Sequence, residues 1–257
     1  MSNTALITGA SAGIGTEFAR FHASKGGDLI LTARREDALL ALKSEIEVNH
    51  GVKVHVFAHD LGVPDAADKL YSKVKAAGLR VDILINNAGF GGRGIHTERD
   101  LAEEHSMIGL NVSALMTLCH RFGGDMVKQG GGKILNVGST AGFMPGPSQA
   151  VYFATKAFVN SYSQALDHEL RGKGVTCTVL APGYVETEFA ARADLEGTNL
   201  TKNGATAESV ARHGYNAMRA KELVTVNERM LGIMVNWIIP LLPRRLVLKM
   251  VSDMQKK

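Results

Sequence analysis

The sequence predicts an α/β fold: one doubly wound parallel sheet of about seven strands, with helices on both faces, in a single domain. Three observations predict it. Short apolar strands alternate with helical stretches of roughly 10 to 15 residues, the pattern of βαβ units joined by crossovers. The segments LILTA (29–33), DILIN (82–86) and TVLAP (178–182) are apolar on both faces, as strands covered from two sides must be. No low-complexity linker or fixed-period repeat divides the 257 residues, a length that suits one large α/β domain with a sizeable core.

The elements follow in order. TALIT (4–8) is a short apolar strand, and the helix after it stops at Gly26 and Gly27. DLILTA (28–33) is the second strand, followed by a helix over 36–49. VKVHVFA (52–58) alternates as a third strand, and residues 65–77 form a helix closed by Gly78. VDILINNAG (81–89) is a strand running into a turn. Residues 100–129 read as one long helix ended by Gly130, Gly131 and Gly132. KILNVGS (133–139) is a strand, residues 149–171 a helix, and VTCTVLAPG (175–183) a strand cut by Pro182. A helix near 206–220 and the strand LVTV (223–226) complete the regular part. Right-handed crossovers place the helices on both faces.

Composition narrows the function classes. The chain is 45% apolar and 21% charged, as in ordinary soluble globular proteins. Its formal charge of +4 comes without a lysine/arginine block, so nucleic acid is not expected as a partner. Cys119 and Cys177 show no metal spacing and read as two buried reduced thiols, which points to a reducing, cytoplasmic location. The histidines likewise show no metal-binding pattern, so no metal is expected. MSNTALITGAS lacks the basic and long apolar regions of a signal peptide.

Chemistry enters with TGASAGIG, where Gly9, Gly13 and Gly15 lie between the first strand and the first helix. Glycines there permit a tight turn and close approach of a pyrophosphate, and the helix presents free N–H groups to it. A plain glycine turn is the bland reading, but the position after a buried first strand favours a nucleotide. TARRED follows strand two, where dinucleotide enzymes read the adenosine ribose. Arg34 and Arg35 suit a 2′-phosphate through paired hydrogen bonds, which favours NADP(H) over NAD(H). The alternative is a solvated arginine pair screened by Glu36 and Asp37. YFATK (152–156) places Tyr152 and Lys156 four apart on one helix face, a spacing that packing alone also produces. His59 reads as a polar strand-end residue.

Taken in order, the glycine loop at 8–15, Asp60, NNAG at 86–89, Asn111, Ser139, YFATK and PGYVET at 182–187 resemble the short-chain dehydrogenase/reductase family over residues 3–227. The resemblance implies a Rossmann-type fold and an NADP(H)-dependent oxidoreductase acting on carbonyls or secondary alcohols. It implies that Thr8, Gly9, Ser11, Gly13, Ile14 and Gly15 line the pyrophosphate, while Arg34 and Arg35 hold the 2′-phosphate and Asp60 and Leu61 flank the adenine. Asn87, Ala88 and Gly89 would support the adenosine ribose, and Pro182, Gly183, Val185 and Thr187 would pack on the nicotinamide. Asn111, Ser139, Tyr152 and Lys156 would be catalytic. Tyr152 would serve as general acid/base, its pKa lowered by Lys156; Ser139 would hold the substrate oxygen; Asn111 would hold a water beside Lys156. Homodimers or homotetramers formed through the long central helices are also implied.

Residues 188–205 are polar and aperiodic, and the resemblance makes them a substrate lid. Residues 228–257 are strongly apolar and then basic. The run 230–242 is too short and broken to span a membrane. Packing and contact with a hydrophobic substrate are favoured over in-plane membrane contact for this tail. Two other readings stay open: a binding module for NADP(H) without turnover, and a reductase of 3-oxoacyl or steroid substrates at a membrane surface.

Overall fold

The computed structural model describes residues 3–201 and 204–256. Met1, Ser2 and Lys257, within the expected domain, and Lys202 and Asn203, within the expected lid, lie outside the described residues.

Among the described residues nine strands form: β1 Thr4–Thr8, β2 Asp28–Ala33, β3 Val54–Ala58, β4 Ile83–Asn86, β5 Gly132–Val137, β6 Val175–Leu180, β7 Val185–Glu186, β8 Ala205–Thr206 and β9 Val224–Thr225. Seven of them make one sheet in the order β3-β2-β1-β4-β5-β6-β9, and every pairing is parallel. Ile7 of β1 lies between Leu31 of β2 and Ile85 of β4. The chain winds outward from β1 to β3, then returns to β4 on the other side of β1. Strand order therefore reverses between β1 and β4, and a crevice opens at their C-terminal ends. β7 and β8 form a separate two-stranded sheet that the sequence reading lacks.

The helices are α1 Gly13–Ala23, α2 Glu36–His50, α3 Ala66–Ala76, α4 Leu101–Ile108, α5 Leu115–Lys128, α6 Ala150–Arg171, α7 Phe189–Arg192, α8 Ala207–Ala220, α9 Arg229–Ile233 and α10 Arg244–Met254. Successive strand residues serve opposite faces of the sheet. Ile7 packs with Phe18, Leu39, Ile46 and Met218 from α1, α2 and α8. Its neighbour Leu6 packs with Leu70, Phe122 and Val159 from α3, α5 and α6. Phe18 and Phe122 are among the largest fully buried side chains, and truncating either to alanine should cost about 3–5 kcal/mol.

The expected long helix over 100–129 is interrupted. α4 and α5 are joined by a π-helical segment, Gly109–Ala114, centred on Asn111. The buried Asn111 amide turns inward to bond the Phe90 backbone, and the wider turn accommodates it. The apolar tail is also not one helix. After α9 it makes a π turn, Met234–Ile238, and a 3-10 turn, Ile239–Leu241, before α10. Pro240 and Pro243 account for the breaks, since neither ring nitrogen can donate to a helix ladder. Cys119 and Cys177 are free and buried, as the sequence suggests. Among the described residues no helix is long and apolar enough to cross a membrane.

Candidate active site

The crevice at the strand ends is a cavity of about 700 Å³. Gly9, Ser11, Gly13 and Ile14 line it from the β1–α1 turn, and Arg34, Arg35, Asp60 and Leu61 from the ends of β2 and β3. Asn87, Ala88 and Gly89 line it after β4, Ser139 after β5, and Tyr152 and Lys156 from α6. Pro182, Gly183, Val185 and Thr187 close the side beyond β6. Of the residues that the family resemblance assigns to the site, Thr8, Gly15 and Asn111 stand behind the lining.

Those three hold it in shape. The Thr8 hydroxyl accepts from the backbone N–H groups of Asn87 and Ala88, both at 3.0 Å. The Asn87 amide donates back to the Thr8 carbonyl at 3.0 Å and the Gly9 carbonyl at 3.2 Å. The β1 and β4 loops are thereby stitched across the switch point. Gly9 needs its φ of +67°, a conformation other residues adopt only under strain. A Cβ on Gly15 would stand 2.2 Å from the Gly9 carbonyl oxygen, so helix and loop close up only around a glycine. The first turn of α1 has no side-chain cap, which leaves its N–H groups facing the crevice. Glycine loop and uncapped helix start fit a pyrophosphate.

Around Tyr152 the groups are closely held. Ser139 Oγ accepts from the Ala141 N–H at 3.0 Å, and Asn160 Nδ2 donates to the Ser139 carbonyl at 3.0 Å. Lys156 Nζ donates to the Val137 carbonyl at 2.8 Å and lies 5.9 Å from the Tyr152 ring centroid. Asn111 Oδ1 accepts from the Phe90 N–H at 3.1 Å, and its Nδ2 donates to the Phe90 carbonyl and the Thr155 hydroxyl.

Electrostatics correct one expectation. Burial pushes the Tyr152 phenol up to about 12, while the Ser139 hydroxyl pulls the other way. Burial also pushes the Lys156 ammonium down to about 8. Burial disfavours both charged forms, and the ammonium is hydrogen-bonded to the Val137 carbonyl. The phenol is held protonated, the form an acid needs.

Other contributors carry no sequence motif. Arg35 donates to both Glu188 carboxylate oxygens, at 3.1 and 3.3 Å, and to the Ser11 carbonyl at 3.1 Å. Its carboxylate partner is thus from the expected lid, not the adjacent Glu36 or Asp37. Arg192, one turn after Glu188, lays its guanidinium 4.3 Å from the Phe90 ring centroid and lines the same cavity. Nearby Arg34 disfavours its charge and Asp60 favours it, while burial is the largest influence and lowers its pKa. Phe189 packs on Tyr152 with ring centroids 5.4 Å apart. Met144, Gln149, Phe153, Leu231, Met234 and Met254 complete the far wall. Apolar periodicity could have suggested some of these as buried, but not which cavity they face. His59 lines the cavity too, with Nε2 hydrogen-bonded to the Ala66 carbonyl at 2.8 Å.

Comparison with known proteins bears on this geometry. The family model described as short chain dehydrogenase matches residues 3–196. The chain belongs to the short-chain dehydrogenase family. Like the family's dehydrogenases and reductases, it is an oxidoreductase that moves hydride between a nicotinamide cofactor and a carbonyl or alcohol. It is 39% identical over 191 residues to sulfoacetaldehyde reductase 2 of Chromohalobacter salexigens, covering 74% of this chain and 75% of that one. It is 30% identical over 256 residues to the very-long-chain 3-oxoacyl-CoA reductase of Macaca fascicularis, covering 98% of this chain and 79% of that one. Among solved structures, a short-chain dehydrogenase from Sphingobium yanoikuyae in complex with NADPH superposes with a TM-score of 0.85. It is 31% identical, over 93% of this chain and 92% of that chain.

Proposed function

We propose that this short-chain dehydrogenase is an NADP(H)-dependent reductase of bulky apolar ketones, with Tyr152 as general acid. The observation that carries the reading is one cavity joining the glycine loop, Arg34, the Ser139–Tyr152–Lys156 cluster and an apolar far wall. A bound nicotinamide supplies the hydride. The Ser139 hydroxyl orients the substrate oxygen by hydrogen bond, and Tyr152 Oη gives that oxygen its proton. Lys156 supplies positive charge beside the forming phenolate and recovers the proton from solvent by way of the π segment at Asn111. Arg34 and Arg35 prefer a 2′-phosphate, Arg35 by exchanging Glu188 for it.

A protein that only binds the dinucleotide needs no buried, protonated phenol beside a serine hydroxyl. The match to the 3-oxoacyl-CoA reductase spans 98% of the chain and so takes in most of the apolar tail, which supports a bulky substrate over a small anionic aldehyde. The reading includes segment 188–205 as the lid. A cytoplasmic location fits the two buried free thiols. Assembly into dimers or tetramers through α5 and α6 follows the family resemblance. The test is a carbonyl panel read by NADPH absorbance, with steroid and long-chain ketones beside sugars and short anionic aldehydes. A preference for bulky ketones with NADPH is expected. Preference for the anionic aldehydes, or for NADH, overturns the corresponding part.

A further inference from the structure

The C-terminal segment is two-sided. Its inner face packs Val235, Ile239, Val247 and Val251 against Phe153 and Ala141. Its outer face leaves Trp237 73%, Leu241 85% and Met230 69% exposed, with Ile233, Ile238 and Leu246 also exposed. Isolated exposed apolar residues are ordinary, but this many within 17 residues is a patch that calls for a partner.

Charge selects the partner. Residues 229–257 hold six lysines and arginines and one aspartate, a net of +5. The whole chain carries +4, so the first 228 residues sum to −1 and the positive charge of the protein is concentrated in this segment. Arg229, Arg244, Arg245 and Lys249 are exposed and form no ion pair among the described residues. A two-fold contact through this face would set that charge against itself. An anionic lipid surface answers both the apolar face and its basic flank.

We propose that the outer face of residues 229–249 docks in the plane of an anionic bilayer, with Trp237 and Leu241 entering the headgroup boundary. Met234 and Met254 line the cavity and are themselves exposed, so the cavity mouth opens on the docking face. An apolar carbonyl compound dissolved in the bilayer would then enter without crossing water. Docking is independent of the reductase reading, since vesicle binding is read by fluorescence and sedimentation, with turnover serving only as a control.

The chain's single tryptophan is the reporter. Full-length protein is mixed with phosphatidylcholine vesicles, alone or with phosphatidylserine at roughly one lipid in three. A blue shift of Trp237 emission and co-sedimentation are expected only with the anionic vesicles. Arg244→Ala with Arg245→Ala should weaken binding about tenfold or more. Leu241→Asp, at a position outside the cavity, should abolish the shift while turnover of a water-soluble ketone is unchanged. No shift and no co-sedimentation would overturn the proposal. So would a shift that depends on protein concentration without vesicles, with sedimentation velocity showing association, because a second copy would then cover this face.

Discussion

The cofactor end of the cleft is walled by loops at the C-terminal ends of parallel strands, whereas its substrate end is walled by side chains of α9, α10 and the π turn between them. At the first end, position follows from topology. The β1 and β4 loops meet because strand order reverses there, and Thr8 and Asn87 bond across the gap. At the second end nothing in the sheet dictates position, and apolar side chains dock where they find a surface. Changes at the cofactor end should therefore alter chemistry or cofactor choice, and changes at the substrate end should alter only which carbonyl is accepted.

The largest separation is expected at Lys156. Lys156→Met should lower turnover about a hundredfold or more and yet raise stability. A lysine pushed from 10.5 to about 8 destabilises the fold at pH 7 by roughly 3 kcal/mol. Loss of its bond to the Val137 carbonyl offsets about 1 kcal/mol of the gain, which leaves ~2 kcal/mol by denaturant titration. The unfolded chain binds the extra proton between about pH 8 and 10.5, so the wild type should recover stability relative to the variant as pH rises through that window. In the wild type, kcat/KM for reduction should stay level below about pH 8 and fall above it as the ammonium loses its charge.

Arg34→Ala should come next, weakening NADPH about 10- to 100-fold by fluorescence titration with little change for NADH. Equal losses for both cofactors would assign Arg34 to structure. At the other end, Met234→Ala with Met254→Ala should raise KM for a bulky ketone about tenfold, with NADPH affinity and the KM of a small carbonyl unchanged. If cofactor affinity fell in step, the two ends would not be separable. The smallest effect is expected at Glu188, an exposed partner of Arg35. Glu188→Gln frees the guanidinium and should tighten NADPH by no more than about fivefold, less at high salt.

Legibility in the sequence follows the same division. The seven parallel strands were readable because βαβ alternation and two-sided apolar strands admit few other folds, and most cavity-lining motif residues because they follow strand ends, with Tyr152 and Lys156 reaching the cavity from α6 instead. The π segment at Asn111 was not, since a one-residue change in helix register leaves apolar periodicity almost intact. Nor was the Glu188–Arg35 pair, which joins positions 153 apart and depends on where α7 lands. The direction of the phenol's pKa was missed for a related reason: spacing places Lys156 one turn from Tyr152, but burial, which sequence does not report, raises the phenol. The tail's apolar run was plain in the sequence, yet only the fold separates Val235, which packs inward, from Trp237, which faces out.

In the mechanism proposed here, Tyr152 delivers the proton within a cofactor site whose shape does not depend on it. Tyr152→Phe keeps the ring that packs on Phe189 and removes only the hydroxyl. Turnover of the best ketone and the NADPH dissociation constant should be measured side by side on that variant. Turnover should fall about 10²- to 10⁴-fold, with NADPH affinity within about twofold of wild type. Turnover retained at the wild-type level with intact cofactor binding would contradict this mechanism.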